Sequence, residues 1–67
     1  MQAKIRQIIA DIHCDLFAAC AEVGETLDAE GLADAVGDRM HDESEEYRNM
    51  PYEQRRAIVL RIAREYV

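Results

Sequence analysis

The chain has 67 residues, of which 49% are hydrophobic and 33% charged, and its 14 acidic and 8 basic residues give a formal net charge of −6. A chain of this length makes one domain, 1–67, and buries only about 60% of its unfolded surface, which leaves little room for a catalytic pocket. No apolar run approaches the roughly 18 residues that span a membrane, and the first residues lack the long apolar core of a signal peptide. We therefore expect a cytoplasmic protein that does not enter a membrane.

The two cysteines offer no obvious covalent support for so small a core. Cys14 and Cys20 lie six positions apart in one predicted helix and project about 120° from each other, so a disulfide between them would break that helix. We expect free thiols in a reducing compartment. Because small domains usually supplement their core with a disulfide, a metal or association, association is the leading expectation, and a homodimer is its simplest form.

The first predicted helix, residues 2–23, carries apolar residues on two faces. The main stripe, expected to face the core, consists of Ile5, Ile8, Ile9, Ile12, Leu16, Ala19, Cys20 and Val23. The opposite face carries mostly small residues at spacings of 7, 4, 3 and 4, and we call it the small-residue seam: Ala3, Ala10, Cys14, Phe17 and Ala21. This spacing is typical of a helix-packing interface, so the seam is predicted to bind a partner.

The second predicted helix, residues 29–48, follows a turn at Gly24, a residue type that readily closes a helix. Asp28 is predicted to cap its start, with Leu27 and Leu32 in contact across the cap. A kink is expected near Gly37. The apolar stripe consists of Ala29, Leu32, Ala33, Val36, Met40 and Tyr47. Glu43 interrupts this stripe and is expected to pair with Arg55 or Arg56.

The third predicted helix, about residues 51–66, begins at Pro51, because a residue before proline is forced out of helical geometry. Its apolar residues cover roughly 200° of the circumference, more than one neighbouring helix usually covers. The three segments together predict an all-α fold, a small three-helix bundle with helices at about 2–23, 29–48 and 51–66.

Negative charge is concentrated in residues 25–46, which hold nine acidic residues and one basic residue. Several of these acids follow one side of the second predicted helix, and we call them the acidic row: Asp34, Asp38, Asp42, Glu45 and, close by, Glu46. One interpretation is a solvated face, partly neutralised by arginines of the third helix. The alternative is a mimic of the nucleic-acid backbone that occupies the basic groove of a nucleic-acid-binding protein.

Metal and nucleophile chemistry receive little support from the residue patterns. Asp38, His41, Asp42 and Glu45 have helical spacing, but no further histidine or cysteine lies near them to complete a metal site. His13 and Cys14 are adjacent yet project about 100° apart, so His13 is poorly placed as a base for the thiol; a packed or boundary role is expected. No phosphate-binding glycine loop is present, and we expect neither an enzyme nor a cofactor.

A helix-turn-helix DNA binder is the third alternative, because Arg55, Arg56, Arg61 and Arg64 follow the joint at residues 49–51. The acidic chain lacks the basic footprint of a DNA binder, and the first two arginines fall in the apolar arc, where they would face the acids of the second helix. Direct nucleic-acid binding is therefore not expected. The sequence favours a small non-enzymatic regulatory or inhibitory protein that binds another protein and itself, with an anti-restriction or anti-CRISPR type of nucleic-acid mimic as the runner-up.

Overall fold

The computed structural model describes all 67 residues and contains four helices with no strand. These are α1 (Gln2–Glu22), α2 (Ala29–Glu43), α3 (Glu45–Asn49) and α4 (Tyr52–Ala63). The all-α prediction is confirmed. The predicted boundaries of three continuous helices need correction, because the segment 29–48 forms two helices and the third predicted helix ends three residues early.

Short-range backbone chemistry explains where α1 ends and α2 begins. Gly24 adopts φ +75°, a left-handed conformation that glycine reaches without steric cost, and the amide of Glu25 then donates to the carbonyl of Cys20 at 2.8 Å. The Asp28 carboxylate accepts a hydrogen bond from the amide of Gly31 at 2.7 Å. Both predictions, the closing glycine and the aspartate cap, are confirmed.

Ser44 divides the segment that was predicted as one helix. Its backbone is extended, with φ −132° and ψ 112°, and its hydroxyl accepts from the amide of Tyr47 at 3.2 Å. Serine favours helix caps because its hydroxyl competes for backbone partners, and Glu45 and Glu46 then lie in the first turn of α3, where the helix dipole favours negative charge. Helix α2 therefore ends at this cap and is one continuous helix, Ala29–Glu43, that includes Gly37. The kink near Gly37 stays a prediction.

Twelve side chains form one buried core, and α2 lies at its centre, in contact with α1, α3 and α4. The core consists of Ile5, Ile8, Ile9, Leu27, Leu32, Ala33, Val36, Met40, Tyr47, Val59, Ile62 and Ala63. Every buried residue of α1 lies in its first nine positions. The predicted stripe is therefore correct in the first half of α1, whereas further along it Ala19 and Val23 are exposed, contrary to prediction.

The long first helix gives the molecule its elongated outline of 36 × 19 × 17 Å. At about 1.5 Å per residue, a helix of this size extends for about 30 Å, close to the longest dimension. A bilayer could not be crossed by any of the helices, because none combines the necessary length with enough apolar character.

Candidate interaction surfaces

The small-residue seam is open to solvent along its whole length. Ala3, Ala10, Cys14, Phe17 and Ala21 are all exposed, and 58% of the surface of Phe17 is accessible. Cys14 is a free thiol near the middle of this face. No other helix of the chain covers the seam, so the structure leaves it available to a partner.

An apolar run that the face-by-face prediction missed overlaps the seam at Phe17 and Ala21. Residues 16–21 are six consecutive uncharged residues, Leu-Phe-Ala-Ala-Cys-Ala, bounded by Asp15 and Glu22. None of the six is fully buried, although Leu16 and Cys20 pack partly against the core. A helix that is apolar all round is ordinarily buried. The unbroken run was visible in the sequence, and assigning its members to two separate faces obscured it.

The C-terminal turn lies against α1 beside this run. The ring of His13 donates to the carbonyl oxygen of Tyr66, with 3.1 Å between the nitrogen and the oxygen, and its ring centroid lies 6.2 Å from that of Phe17 and 6.3 Å from that of Tyr66. Arg6 forms an ion pair with Glu65, with 2.9 Å between the guanidinium nitrogen and the carboxylate oxygen. His13 therefore has the boundary role expected from the sequence, and Tyr66 extends the exposed apolar surface around Phe17.

Glu43 forms ion pairs with residues other than those predicted. Its carboxylate contacts Arg39 one turn back and Lys4 of α1, the latter at 2.9 Å. The hydrogen bond from Arg39, followed by that from Lys4, lowers the pKa of Glu43 to about 2. The expected pairing with Arg55 or Arg56 is wrong, because Arg56 pairs with Asp34 and Arg55 donates to the carbonyl oxygen of Arg48.

The acidic row is exposed but does not stay in one line. Asp34, Asp38 and Asp42 lie on α2, while Glu45 and Glu46 lie on α3 beyond the break at Ser44. Arg56 forms an ion pair with Asp34 at 2.6 Å, and the other four carboxylates form none. No three ligand-type side chains come close enough together to hold a metal ion.

A cleft of about 410 Å³ opens between α2, α3 and the start of α4. Gly37 and Tyr47 line it, together with Tyr52 and Arg55. The guanidinium carbon of Arg55 lies 5.5 Å from the centroid of each tyrosine ring. This cleft was not predicted from the residue patterns, because it depends on the break at Ser44, which places Tyr47 beside Arg55 of α4.

The arginines of α4 divide into two pairs with different surroundings. Arg55 and Arg56 are half-buried against α2 and α3, whereas Arg61 and Arg64 are exposed. A recognition helix needs its basic side chains free to reach a nucleic acid, and half of this set is engaged within the protein. The helix-turn-helix alternative is weakened by this arrangement.

Comparison with protein-family models, with curated proteins and with solved structures finds no match to this chain.

Proposed function

We propose that this chain is a small regulatory or inhibitory protein without catalytic activity, that it acts by protein–protein binding, and that the second half of α1 binds a second copy of the chain. The observation that carries this proposal is the exposure of the run at residues 16–21 together with Phe17, 58% of whose surface is accessible. Burying apolar surface contributes roughly 25 cal/mol per Å², so covering this segment stabilises the molecule.

The size of the molecule favours a dimer over a monomer. The chain exposes 4353 Å², and a stable interface takes about 800 Å² from each partner, which is roughly a fifth of that surface. The seam follows one side of a 21-residue helix, and the run at residues 16–21 widens the exposed apolar surface at its C-terminal half. Only twelve residues are buried, and a core this small is usually supplemented, for example by association.

The composition of the seam favours close packing of two α1 helices. Ala10 and Cys14 are small residues at its centre, and they allow another helix to approach closely, while Phe17 supplies the one large side chain. An isologous dimer presents the same face from both copies, so each Phe17 would find small residues opposite it. Because the two-fold axis of such a dimer repeats every contact, one substitution in the seam removes two sets of contacts.

Sedimentation equilibrium of seam variants tests this proposal. Phe17→Asp and Ala10→Arg place charges in the interface and are expected to convert a dimer to a monomer with unchanged helical content. Ala57→Arg adds the same side chain at an exposed position of α4 and should leave the dimer intact. A wild-type chain that remains monomeric at the highest soluble concentration would refute self-association.

The nucleic-acid mimic is the second candidate, favoured by one observation: Asp38, Asp42, Glu45 and Glu46 are exposed and carry no ion pair. The break at Ser44 counts against it, because the carboxylates do not follow a single regular line. Replacing Asp34, Asp38 and Asp42 with lysine should abolish capture of a basic nucleic-acid-binding protein while leaving the fold intact. Unchanged capture would eliminate this candidate.

A further inference from the structure

Tyr47 places an unused hydroxyl in the cleft between α2, α3 and α4. Only 5% of this residue is exposed, and its hydroxyl forms no hydrogen bond with the protein. No fully buried side-chain nitrogen or oxygen lacks a partner, so the hydroxyl must open onto the cleft that Tyr47 lines. A Cβ on residue 37 would lie 3.2 Å from this oxygen, so the absence of a side chain at Gly37 leaves the hydroxyl its space.

The lining of the cleft carries two arginines and two aspartates, and only one pair of them is joined. Arg56 pairs with Asp34, with 2.6 Å between the guanidinium nitrogen and the carboxylate oxygen. Arg55 has no carboxylate partner, and Asp38 has no cationic partner. With His41 counted as neutral, the charges of the lining cancel. The cleft therefore offers one unpaired group of each sign to a ligand.

Two tyrosine rings hold Arg55 in the cleft. Its guanidinium carbon lies 5.5 Å from the ring centroids of Tyr47 and Tyr52, and one guanidinium nitrogen donates to the carbonyl oxygen of Arg48 at 3.3 Å. An arginine side chain has five N–H donors in a planar fork that matches a carboxylate. The contact with Arg48 leaves the other guanidinium nitrogens without a protein acceptor, so a carboxylate is the group that Arg55 is placed to bind.

The Tyr47 hydroxyl lies at the cationic end of the cleft. Burial, the largest cause, raises the pKa of this hydroxyl above its ordinary value, while Arg55 and Arg56 each lower it by more than Asp38 raises it. The hydroxyl therefore stays protonated at neutral pH and is a donor beside cations. A negatively charged acceptor is the partner that suits such a donor.

We propose that this cleft binds a small zwitterion, a free α-amino acid. The carboxylate of the amino acid accepts from the Arg55 guanidinium and the Tyr47 hydroxyl, and its ammonium group donates to the Asp38 carboxylate. Its side chain lies against the ring of Tyr52, 65% of which is exposed. The cleft volume of about 410 Å³ is within the range of small-molecule sites, roughly 300–1,000 Å³.

A ligand with both charges suits the cleft better than a ligand with one. A simple carboxylate would be attracted by Arg55 and repelled by Asp38, and a simple amine would be attracted by Asp38 and repelled by Arg55. The net charge of −6 further disfavours a free anion, whereas a zwitterion has no net charge. None of the lining residues belongs to α1, so the site does not require self-association through the small-residue seam.

Titration of the intact chain at pH 7, followed by NMR, tests the site with three probes that share a phenyl group. Phenylalanine carries both charges, 3-phenylpropionate only the carboxylate and phenethylamine only the ammonium group. Phenylalanine is expected to bind about tenfold more tightly than either analogue, the effect of one hydrogen-bonded charge, and to shift the amide signals of Gly37 and Tyr47. Equal or tighter binding of an analogue, or no binding of phenylalanine up to its solubility limit, would overturn the proposal.

Matched variants assign each charge of the ligand to its partner. In Asp38→Asn the ammonium group loses its partner, so phenylalanine should bind about tenfold more weakly and no more tightly than 3-phenylpropionate. Arg55→Gln should weaken phenylalanine by a similar factor and Tyr47→Phe severalfold. Asp15→Asn and Arg61→Gln make the same charge changes at exposed positions outside the cleft and should change the affinity less than twofold. Losses as large in these controls would show a response to net charge only and would refute the site.

Discussion

Glu43 shows how one side chain can connect two helices. Its carboxylate lies between Arg39 of α2 and Lys4 of α1. The hydrogen bond from Arg39 has the larger effect and that from Lys4 the next, and together they lower the pKa of Glu43 to about 2. The ordinary value is 4.5. A carboxyl with a lowered folded-state pKa stabilises the fold above its unfolded pKa, and this stabilisation is lost as the pH falls through the folded value.

The contribution of Glu43 should therefore be complete above about pH 4.5 and disappear as the pH approaches about 2. Glu43→Gln is expected to reduce the slope of unfolding free energy against pH within this window, measured by urea denaturation. Glu25→Gln removes a carboxyl from an exposed loop position without an ion pair and serves as the control. An unchanged slope in Glu43→Gln would contradict the assigned ion pairs.

Residue identity predicted some of these local features and not others. Gly24 and Asp28 act through their own backbone and the next few residues, so a short window of sequence was enough to identify them. The partners of Glu43 are 39 positions away in the case of Lys4, and they depend on how α2 lies against α1. The cap at Ser44 was not predicted, for a different reason. The helical apolar pattern continues past Ser44 to Tyr47 and therefore indicated one unbroken helix.

The two halves of α1 differ at the scale of the element. The first half supplies three fully buried isoleucines, whereas the second half has only partly buried contacts through Ile12, Leu16 and Cys20. Periodicity predicted which face of α1 is turned toward the core. It did not predict where the core ends along the helix, because that depends on how far the neighbouring helices extend beside it.

A pair of leucine substitutions measures this difference. Leu32 of α2 is fully buried, and Leu32→Ala should cost about 3 kcal/mol from lost transfer energy and the remaining cavity. Leu16→Ala makes the same chemical change at a half-buried position and should cost less than about half of that in dilute solution. Urea denaturation at low protein concentration provides both values. Equal costs would mean that the second half of α1 is as well packed as the core.

Cleft formation also belongs to the scale of the element. The end of α2 at Ser44 and the five residues of α3 bring Tyr47 against Gly37 and Arg55. A helix continuing to residue 48 would instead have made Tyr47 one more member of a regular stripe. The cleft on this side could not be predicted from the sequence, because it exists only where the short helix α3 meets α2 and α4.

At the scale of the whole molecule, apolar and charged surfaces are separated. The uncovered apolar surface lies along the second half of α1 and the C-terminal turn, and the unpaired carboxylates of the acidic row lie on α2 and α3. A protein with two such surfaces can associate through one and attract a basic partner through the other. The central claim is that a second copy covers the α1 surface.

Cys14 provides the most direct test, because its thiol is exposed at the centre of the proposed interface. The measurement is the alkylation rate constant of Cys14 in a chain that carries Cys20→Ser. Protein concentrations run from about 1 µM to about 1 mM. Dissociation constants in this range correspond to binding free energies of roughly −8 to −4 kcal/mol. A control chain carries its only thiol at Ala57→Cys, an exposed position of α4.

The account predicts that the rate constant for Cys14 falls as the concentration rises and the dimer forms, whereas the rate constant for the thiol at position 57 stays constant. Phe17→Asp should restore the fast rate for Cys14 at every concentration. A rate constant for Cys14 that does not change with concentration, or that changes in parallel with the control thiol, would contradict the claim that a second copy covers this face.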